Sequence, residues 1–270
     1  MKTTDFFTLA NGVKIHAIGL GTWQIPNGEA AYNSVSAALK SGYRHIDTAL
    51  AYGNEESVGR AIRDSGIPRD QIFVTSKLPA EMKNYRNAHT SFKMTMKNIW
   101  LDYIDLYLIH APWPWNQIGA DYTKENIEIW KAMEEIYESG RARSIGISNF
   151  NVKDINAILD TCRIRPMVNQ IKLHIGHAQD EISGHCRKND IVVEGYSPLA
   201  TGRILSNKNI AGIAEKYGKS VAQLSIRYVL QKDALPLPKS THPEYIRHNL
   251  DVDFEISGED MKVLDGMEQK

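Results

Sequence analysis

Eight times along this chain a short apolar run is followed by a stretch whose apolar residues recur at helical spacing, and this alternation limits the fold more than any other feature. The runs are Ile18–Trp23, Tyr43–Thr48, Ile72–Lys77, Ile104–His110, Ser144–Ser148, Met167–Ile171, Ile191–Tyr196 and Leu235–Lys239. Between and after them come expected helices at Glu29–Ser41, Glu55–Ser65, Asn84–Trp100, Thr123–Ser139, Val152–Asp160 and Asp180–Asn189. Then follow a tandem pair, Asn209–Tyr217 and Val221–Gln231, and the stretches Pro243–Leu250 and Gly258–Met267. Strand–helix alternation predicts a parallel sheet with crossover helices, and eight repeats in about 250 residues match an α/β fold of the closed (β/α)8 barrel type. An open doubly wound sheet is the alternative. It carries a Gly-x-Gly-x-x-Gly turn after its first strand, whereas Gly19-Leu20-Gly21-Thr22-Trp23-Gln24 lacks the third glycine. Before the first repeat, Phe7-Thr8-Leu9 and Val13-Lys14-Ile15 alternate around Asn11-Gly12, which predicts a hairpin with a primed turn capping one end of the barrel. Asn54 is placed to cap the helix from Glu55, and Gly140 to end the one from Thr123. No linker or composition shift divides the chain, so one domain over residues 1–270 is expected.

Bulk properties narrow the function. A formal net charge of zero suggests no nucleic-acid partner. The two cysteines, Cys162 and Cys186, form neither a disulfide framework nor a metal motif and read as reduced thiols. The first residues lack the apolar run of a signal peptide, and no stretch reaches the length needed to span a bilayer. A cytoplasmic protein without membrane contact is the expectation. The spacing of His174, His177, His185 and Cys186 fits no zinc pattern, so no metal is expected.

In a barrel of this kind the C-terminal strand ends gather on one face, where chemistry is done. The second strand ends at Asp47 with Tyr52 just beyond, the third at Lys77 and the fourth at His110. Singly, each has a plain structural reading: a turn acid, a packing tyrosine, a rim lysine, a satisfied core histidine. Together at adjacent strand ends they form a proton-transfer set. A free phenol titrates near 10. A buried Lys77 cation is expected to bring Tyr52 down, with Asp47 holding Lys77 charged and His110 donating to a substrate oxygen or sharing the proton. The set suits protonation of an oxyanion as a carbonyl is reduced. The irregular stretch from Ala111 to Tyr122, with Pro112, Trp113, Pro114 and Trp115, reads as a binding loop. Trp23, Trp113, Tyr52 and His110 are expected to line the substrate mouth.

Three long motifs turn this reading into a resemblance. Gly42-Tyr43-Arg44-His45-Ile46-Asp47-Thr48-Ala49 with Glu55 and Val58-Gly59, Leu101 to His110, and Leu237-Pro238-Lys239-Ser240 resemble the signatures of the aldo-keto reductases. Those are nicotinamide-dependent carbonyl reductases on the (β/α)8, or TIM, barrel. The resemblance runs from the hairpin to about Asp253. It implies Tyr52 as general acid, completed by Asp47, Lys77 and His110, and a small carbonyl substrate. It also implies a nicotinamide site formed by Gly21, Thr22, Trp23, Asp47, Ser148, Asn149 and Gln170, with Tyr196 stacking on the ring. Ser197, Pro198 and Leu199 match the loop over the pyrophosphate. Lys239, Ser240, Thr241, His248 and Asn249 match the pocket for the adenosine end and its 2′-phosphate.

The chain departs from that pattern where the family's usual arginine, six residues after the lysine, is Tyr245, and where His248 replaces an acid or amide. NADPH is therefore expected as cofactor, with NADH also used. The tail beyond Asp253 is short, which resembles bacterial members acting on diketo-gluconate, methylglyoxal and similar small carbonyls, and a monomer is expected. A nucleotide-binding barrel serving as a regulatory or sensor subunit, and an unrelated barrel enzyme such as a phosphate-sugar isomerase, are the competing readings. The first has no need of the complete set of four, and the second predicts no nicotinamide affinity.

Overall fold

Eight parallel strands close on themselves in the computed structural model, which describes residues 2–267. Met1 and residues 268–270 lie outside the described residues. A hairpin of β1 (Phe6–Thr8) and β2 (Lys14–His16) precedes the barrel strands. Those are β3 (Leu20–Gly21), β4 (His45–Asp47), β5 (Phe73–Leu78), β6 (Leu106–Ile109), β7 (Ile145–Ser148), β8 (Val168–Lys172), β9 (Val192–Tyr196) and β10 (Leu235–Leu237). Each pairs in parallel with the next in chain order. The seam between β3 and β10 is closed by the amides of Gly19 and Gly21, which donate to Pro236 and Pro238 carbonyls at 3.1 and 3.0 Å. Proline is tolerated there because the seam asks those residues only for an acceptor.

The helices of the ring are α1 (Glu29–Ser41), α2 (Glu55–Asp64), α3 (Tyr85–Ile99), α4 (Thr123–Glu138), α5 (Val152–Leu159), α6 (Asp180–Lys188), α7 (Lys208–Lys216), α8 (Val221–Gln231) and α9 (Pro243–His248), with α10 (Gly258–Asp265) at the tail. Their starts are written locally: Asn151 with Asp154 and Ser220 with Gln223 form capping boxes for α5 and α8. The strands are buried on both faces, which is why they read as continuous apolar runs rather than alternating ones. Among the described residues no helix is long and apolar enough to cross a membrane.

One local expectation is corrected, and one is met. In the hairpin only Gly12 has a positive φ, +84°, while the Leu9 carbonyl accepts from the Gly12 amide at 2.8 Å. The turn is thus an ordinary one followed by a glycine bulge, not a primed turn, because five residues separate β1 from β2 and leave room for it. Gly140 stands one position past the Ser139 cap of α4, at φ +74°. The hairpin does cover the N-terminal end of the barrel: Leu9 and Ile15 are buried, and Asn11 donates to the Arg143 carbonyl just before β7.

Close packing of the ring rests on small residues. A Cβ on Gly59 of α2 would stand 1.9 Å from the carbonyl oxygen of Ile99 at the end of α3. Because backbone is in the way, neither side can yield by a rotamer change. Gly59→Ala is expected to cost about 1–3 kcal/mol, read as a lower urea midpoint with an unchanged slope; a midpoint equal to wild type would show that the two helices can separate freely.

Candidate active site

Strand register delivers the four expected residues to one place. Asp47 ends β4 opposite Thr75, so Lys77, two residues further along β5, projects beyond it and its long side chain folds back. The Lys77 ammonium donates to both Asp47 oxygens at 2.7 Å, to the Thr48 carbonyl at 2.9 Å and to the Tyr52 hydroxyl at 3.4 Å. Tyr52 comes from a single 3-10 turn, Leu50–Tyr52, that Gly53 ends at φ +68°. Its ring meets that of His110 edge-on at 5.6 Å. Asn54 occupies the cap position of α2 but makes no capping bond. Its amide instead donates to the Thr22 and Ile25 carbonyls and its oxygen accepts from Thr48, so it ties the loop after β3 to the loop after β4. Burial explains the change: inside the protein those carbonyls have no water to turn to.

The electrostatics correct one expectation. Burial pushes the Tyr52 phenol up; Lys77 pulls it down, but Asp47 pushes it up again, and the net shift is upward. Burial, with the carboxylate on its side, outweighs the lysine, so Tyr52 is a proton donor at neutral pH rather than a partly ionised phenol. For Lys77 burial alone would favour the neutral amine, but Asp47, then Tyr52, outweigh it and the ammonium is held charged. Burial, then the Lys77 charge, lowers His110 to about 3, so its imidazole is neutral. Its Nδ1 is enclosed without a partner, leaving the opposite edge of the ring to the cavity.

That cavity, about 710 Å³, opens on the C-terminal face. Of the residues expected at a cofactor site, Gly21, Trp23, Asp47, Ser148, Asn149, Gln170, Tyr196, Ser197, Pro198, Leu199 and Lys239 line it. The rest do not. Thr22 is buried with its hydroxyl donating to the Asp47 carbonyl, which makes it a strut of the strand end. Ser240, Thr241, His248 and Asn249 lie outside the lining, along the turn into α9 and at that helix's end. For the substrate mouth, Trp23, Tyr52 and His110 line the cavity and Trp113 does not. Pro114 is extended, and the short turn Trp115–Gln117 swings Trp115 to within 5.5 Å of His110, with Trp113 beside it at 5.3 Å. Trp115, from the expected binding loop, completes the wall together with Gln24, Ala51, Thr201, Gly202, Leu205 and Leu237, which were not anticipated as site residues. No signal marked Trp115 over Trp113; the choice depends on the turn.

The polar groups are preset. Tyr196 donates to Asn149 Oδ1 at 2.8 Å, and Asn149 Nδ2 donates to the His110 carbonyl at 3.0 Å and to Ser148 at 3.1 Å. Gln170 Nε2 donates to Asp47 Oδ2 at 2.8 Å and to Glu194 Oε2 at 2.7 Å. With its nitrogen so committed, Gln170 turns its oxygen toward the cavity. An acceptor beside an aromatic face, with a lysine at the mouth, fits a nicotinamide nucleotide: the carboxamide supplies donors, the ring is flat, and the phosphates are anionic. Among the described residues no group of three His, Cys, Asp or Glu side chains is gathered as a metal site.

The chain as a whole resembles known proteins. A profile of the Aldo/keto reductase family matches residues 17–269. A glyoxal reductase of Bacillus subtilis (strain 168) is 42% identical over 264 residues, 97% of this chain and 92% of that protein. A 9,11-endoperoxide prostaglandin H2 reductase of Trypanosoma cruzi (strain CL Brener) is 38% identical, covering 97% of this chain and 91% of its own. The crystal structure of an aldo/keto reductase from Brucella melitensis superposes with a TM-score of 0.90 at 40% identity, covering 97% of this chain and 99% of that one.

The state of His110 has a consequence for stability. A folded-state value near 3 against an ordinary histidine in the unfolded chain means that the unfolded chain binds a proton the folded one refuses. Stability is therefore lost as the pH falls below about 6.5, by about 2 kcal/mol between pH 7 and pH 5. In urea titrations at those two pH values, His110→Asn should lose about 2 kcal/mol less than wild type. Equal losses would mean that the folded protein protonates His110 freely.

Proposed function

The chain belongs to the aldo/keto reductase family, and on that premise we propose that it reduces small aldehydes and ketones to alcohols with NADPH, Tyr52 acting as general acid. The observation that carries this is the buried Asp47–Lys77 pair aimed at the Tyr52 hydroxyl beneath an apolar-walled cavity. A nicotinamide bound against Tyr196 and Gln170 supplies the hydride. Tyr52 gives its proton to the carbonyl oxygen as negative charge develops there, a contribution on the order of 10²–10⁴ in rate. Lys77, already within reach of the Tyr52 hydroxyl oxygen, compensates the charge left on the phenol. Asp47 keeps that compensation in place by occupying the ammonium from the far side. Neutral His110 offers a hydrogen bond that orients the carbonyl without adding a second cation. Trp23 and Trp115 exclude water and favour compact, weakly polar substrates. The likeness to a glyoxal reductase supports small carbonyls and dicarbonyls as the class.

Tyr52→Phe separates chemistry from binding, since the ring stays and the proton donor goes. Nicotinamide binding, followed by fluorescence, should be nearly unchanged and turnover should fall at least about a hundredfold. Turnover within a few-fold of wild type would refute the assignment.

Cofactor choice turns on Tyr245. It is 56% exposed, and it rests against His242 with ring centroids 5.2 Å apart, so it offers a hydroxyl where a guanidinium would grip a phosphate. Lys239 at the mouth remains as a cation for the 2′-phosphate. NADPH is expected to be favoured modestly, with NADH well used. A charge-assisted contact is worth roughly 1.5–3 kcal/mol, so Tyr245→Arg should raise the NADPH-over-NADH ratio of kcat/KM by about ten- to a hundredfold. A native ratio already in the thousands, unmoved by the arginine, would mean that another group reaches the phosphate.

A further inference from the structure

On the barrel axis, below the residues used above, lies a second carboxyl. Glu194 of β9 is fully buried. Its Oε2 accepts from Gln170 Nε2 at 2.7 Å, while its Oε1 has no hydrogen-bond partner. No cation touches it. The nearest base, His45 Nε2, stands 3.9 Å from Oε1 and bonds instead to Thr75 at 3.0 Å. His45 is closed in on its other side by Gly19, where even a Cβ would come within 2.5 Å of Nδ1. Burial, then the charges of His16 and Lys77, hold His45 neutral. Lys77 spends its donors on Asp47, Thr48 and Tyr52.

A carboxyl so placed keeps its proton: burial first, and the Asp47 charge second, raise it to about 8, against smaller opposing pulls from Gln170 and Lys77. The other groups facing this floor are committed. His45 and His110 are already neutral, Lys77 is held charged, and burial holds the Tyr52 and Tyr196 phenols above their usual value. Glu194 is thus the proton on the barrel floor nearest to release at neutral pH, and Gln170 links it to the cavity wall.

We propose that Glu194 is a positioning residue that answers the charge of the cofactor: it stays protonated beneath the neutral, reduced nicotinamide and releases its proton to solvent when the cationic, oxidised ring is bound. This rests on the nicotinamide reading of the cavity. A positive charge brought into a low-dielectric interior favours the ionised form of a nearby carboxyl. In either form Oε2 remains the acceptor that fixes Gln170. Binding of the oxidised cofactor is therefore linked to pH, and binding of the reduced one is not.

Calorimetric titration of the protein with NADP+ and with NADPH, in two buffers of different ionisation heat at pH 7, counts the protons. The two cofactors share every phosphate, so their difference isolates the ring. NADP+ should release more than about half a proton per site and NADPH close to none, and NADP+ affinity alone should rise several-fold from pH 7 to pH 8. Glu194→Gln, which keeps an acceptor for Gln170, should abolish both effects, whereas Tyr52→Phe should retain them. Equal release with both cofactors, release surviving in Glu194→Gln, or release lost in Tyr52→Phe would each overturn the proposal. Should Glu194→Gln fail to fold, infrared difference spectra of wild type and Tyr52→Phe decide. A protonated-carboxyl band lost on adding NADP+ supports the proposal, and no such loss refutes it. Failure of both cofactors to bind would instead sink the cofactor reading itself.

Discussion

The ion pair between Lys77 and Asp47 is the interaction around which the rest of the molecule is arranged. Lys77 has no exposed surface, and an unpaired ammonium at such a place would cost several kcal/mol. The cost is offset because its three N–H donors are shared among four oxygens: two on Asp47, one on the Thr48 backbone and one on Tyr52. That arrangement exists only in one register of β4 against β5, since slipping either strand by one residue would turn its side chains to the opposite face. Closure of the barrel at the Gly19–Pro236 and Gly21–Pro238 bonds keeps the register from drifting. Burial, then the Lys77 charge, holds His110 neutral, and burial with the opposed pulls of the pair leaves Tyr52 protonated.

The interior beneath this pair is unusual for a barrel whose layers are ordinarily filled by branched aliphatic side chains. His45, Thr75, Gln170 and Glu194 form a polar column, each buried, and each limited in what it can bond to. The price of that polarity is unmet hydrogen bonding at His45 Nδ1 and Glu194 Oε1. Groups of this kind persist where they serve orientation. Here Glu194, through its other oxygen and together with Asp47, fixes which end of the Gln170 amide faces the cavity. A second chain, from Tyr196 through Asn149 to the His110 carbonyl, joins three strand ends across the mouth. Asn149 accepts a left-handed backbone, φ +63°, to make it.

Some of this was legible from the residues in order. The helix at Glu29–Ser41 has the same limits in both readings, because Gly42, at φ +108°, marks its end unambiguously. Strand limits were less legible: β3 is only Leu20–Gly21 where Ile18–Trp23 was expected, since the flanking residues bond across the seam and to loops rather than in the ladder. The four residues of the acid–base set could be placed together because adjacent strand ends are neighbours in any barrel of this connectivity. Glu194 could have been suspected as a lone acid in the apolar run Ile191 to Tyr196.

What the sequence determined by itself is the periodic pattern: which segments are strands, which are helices, and which side chains stand at strand ends. That information is local, carried by residue spacing and by caps and turn residues acting within a few positions. What only the tertiary structure decided is each group's state and direction. Tyr52 is pushed up rather than down because burial outweighs the pull of Lys77, on another strand, which Asp47, five residues earlier, opposes. Asn54 abandons its helix for two carbonyls near Thr22 because those carbonyls are buried beside it. Trp115 rather than Trp113 meets the cavity because a three-residue turn points it there. Burial and field strength depend on distances between residues remote in the chain, and no local pattern encodes them.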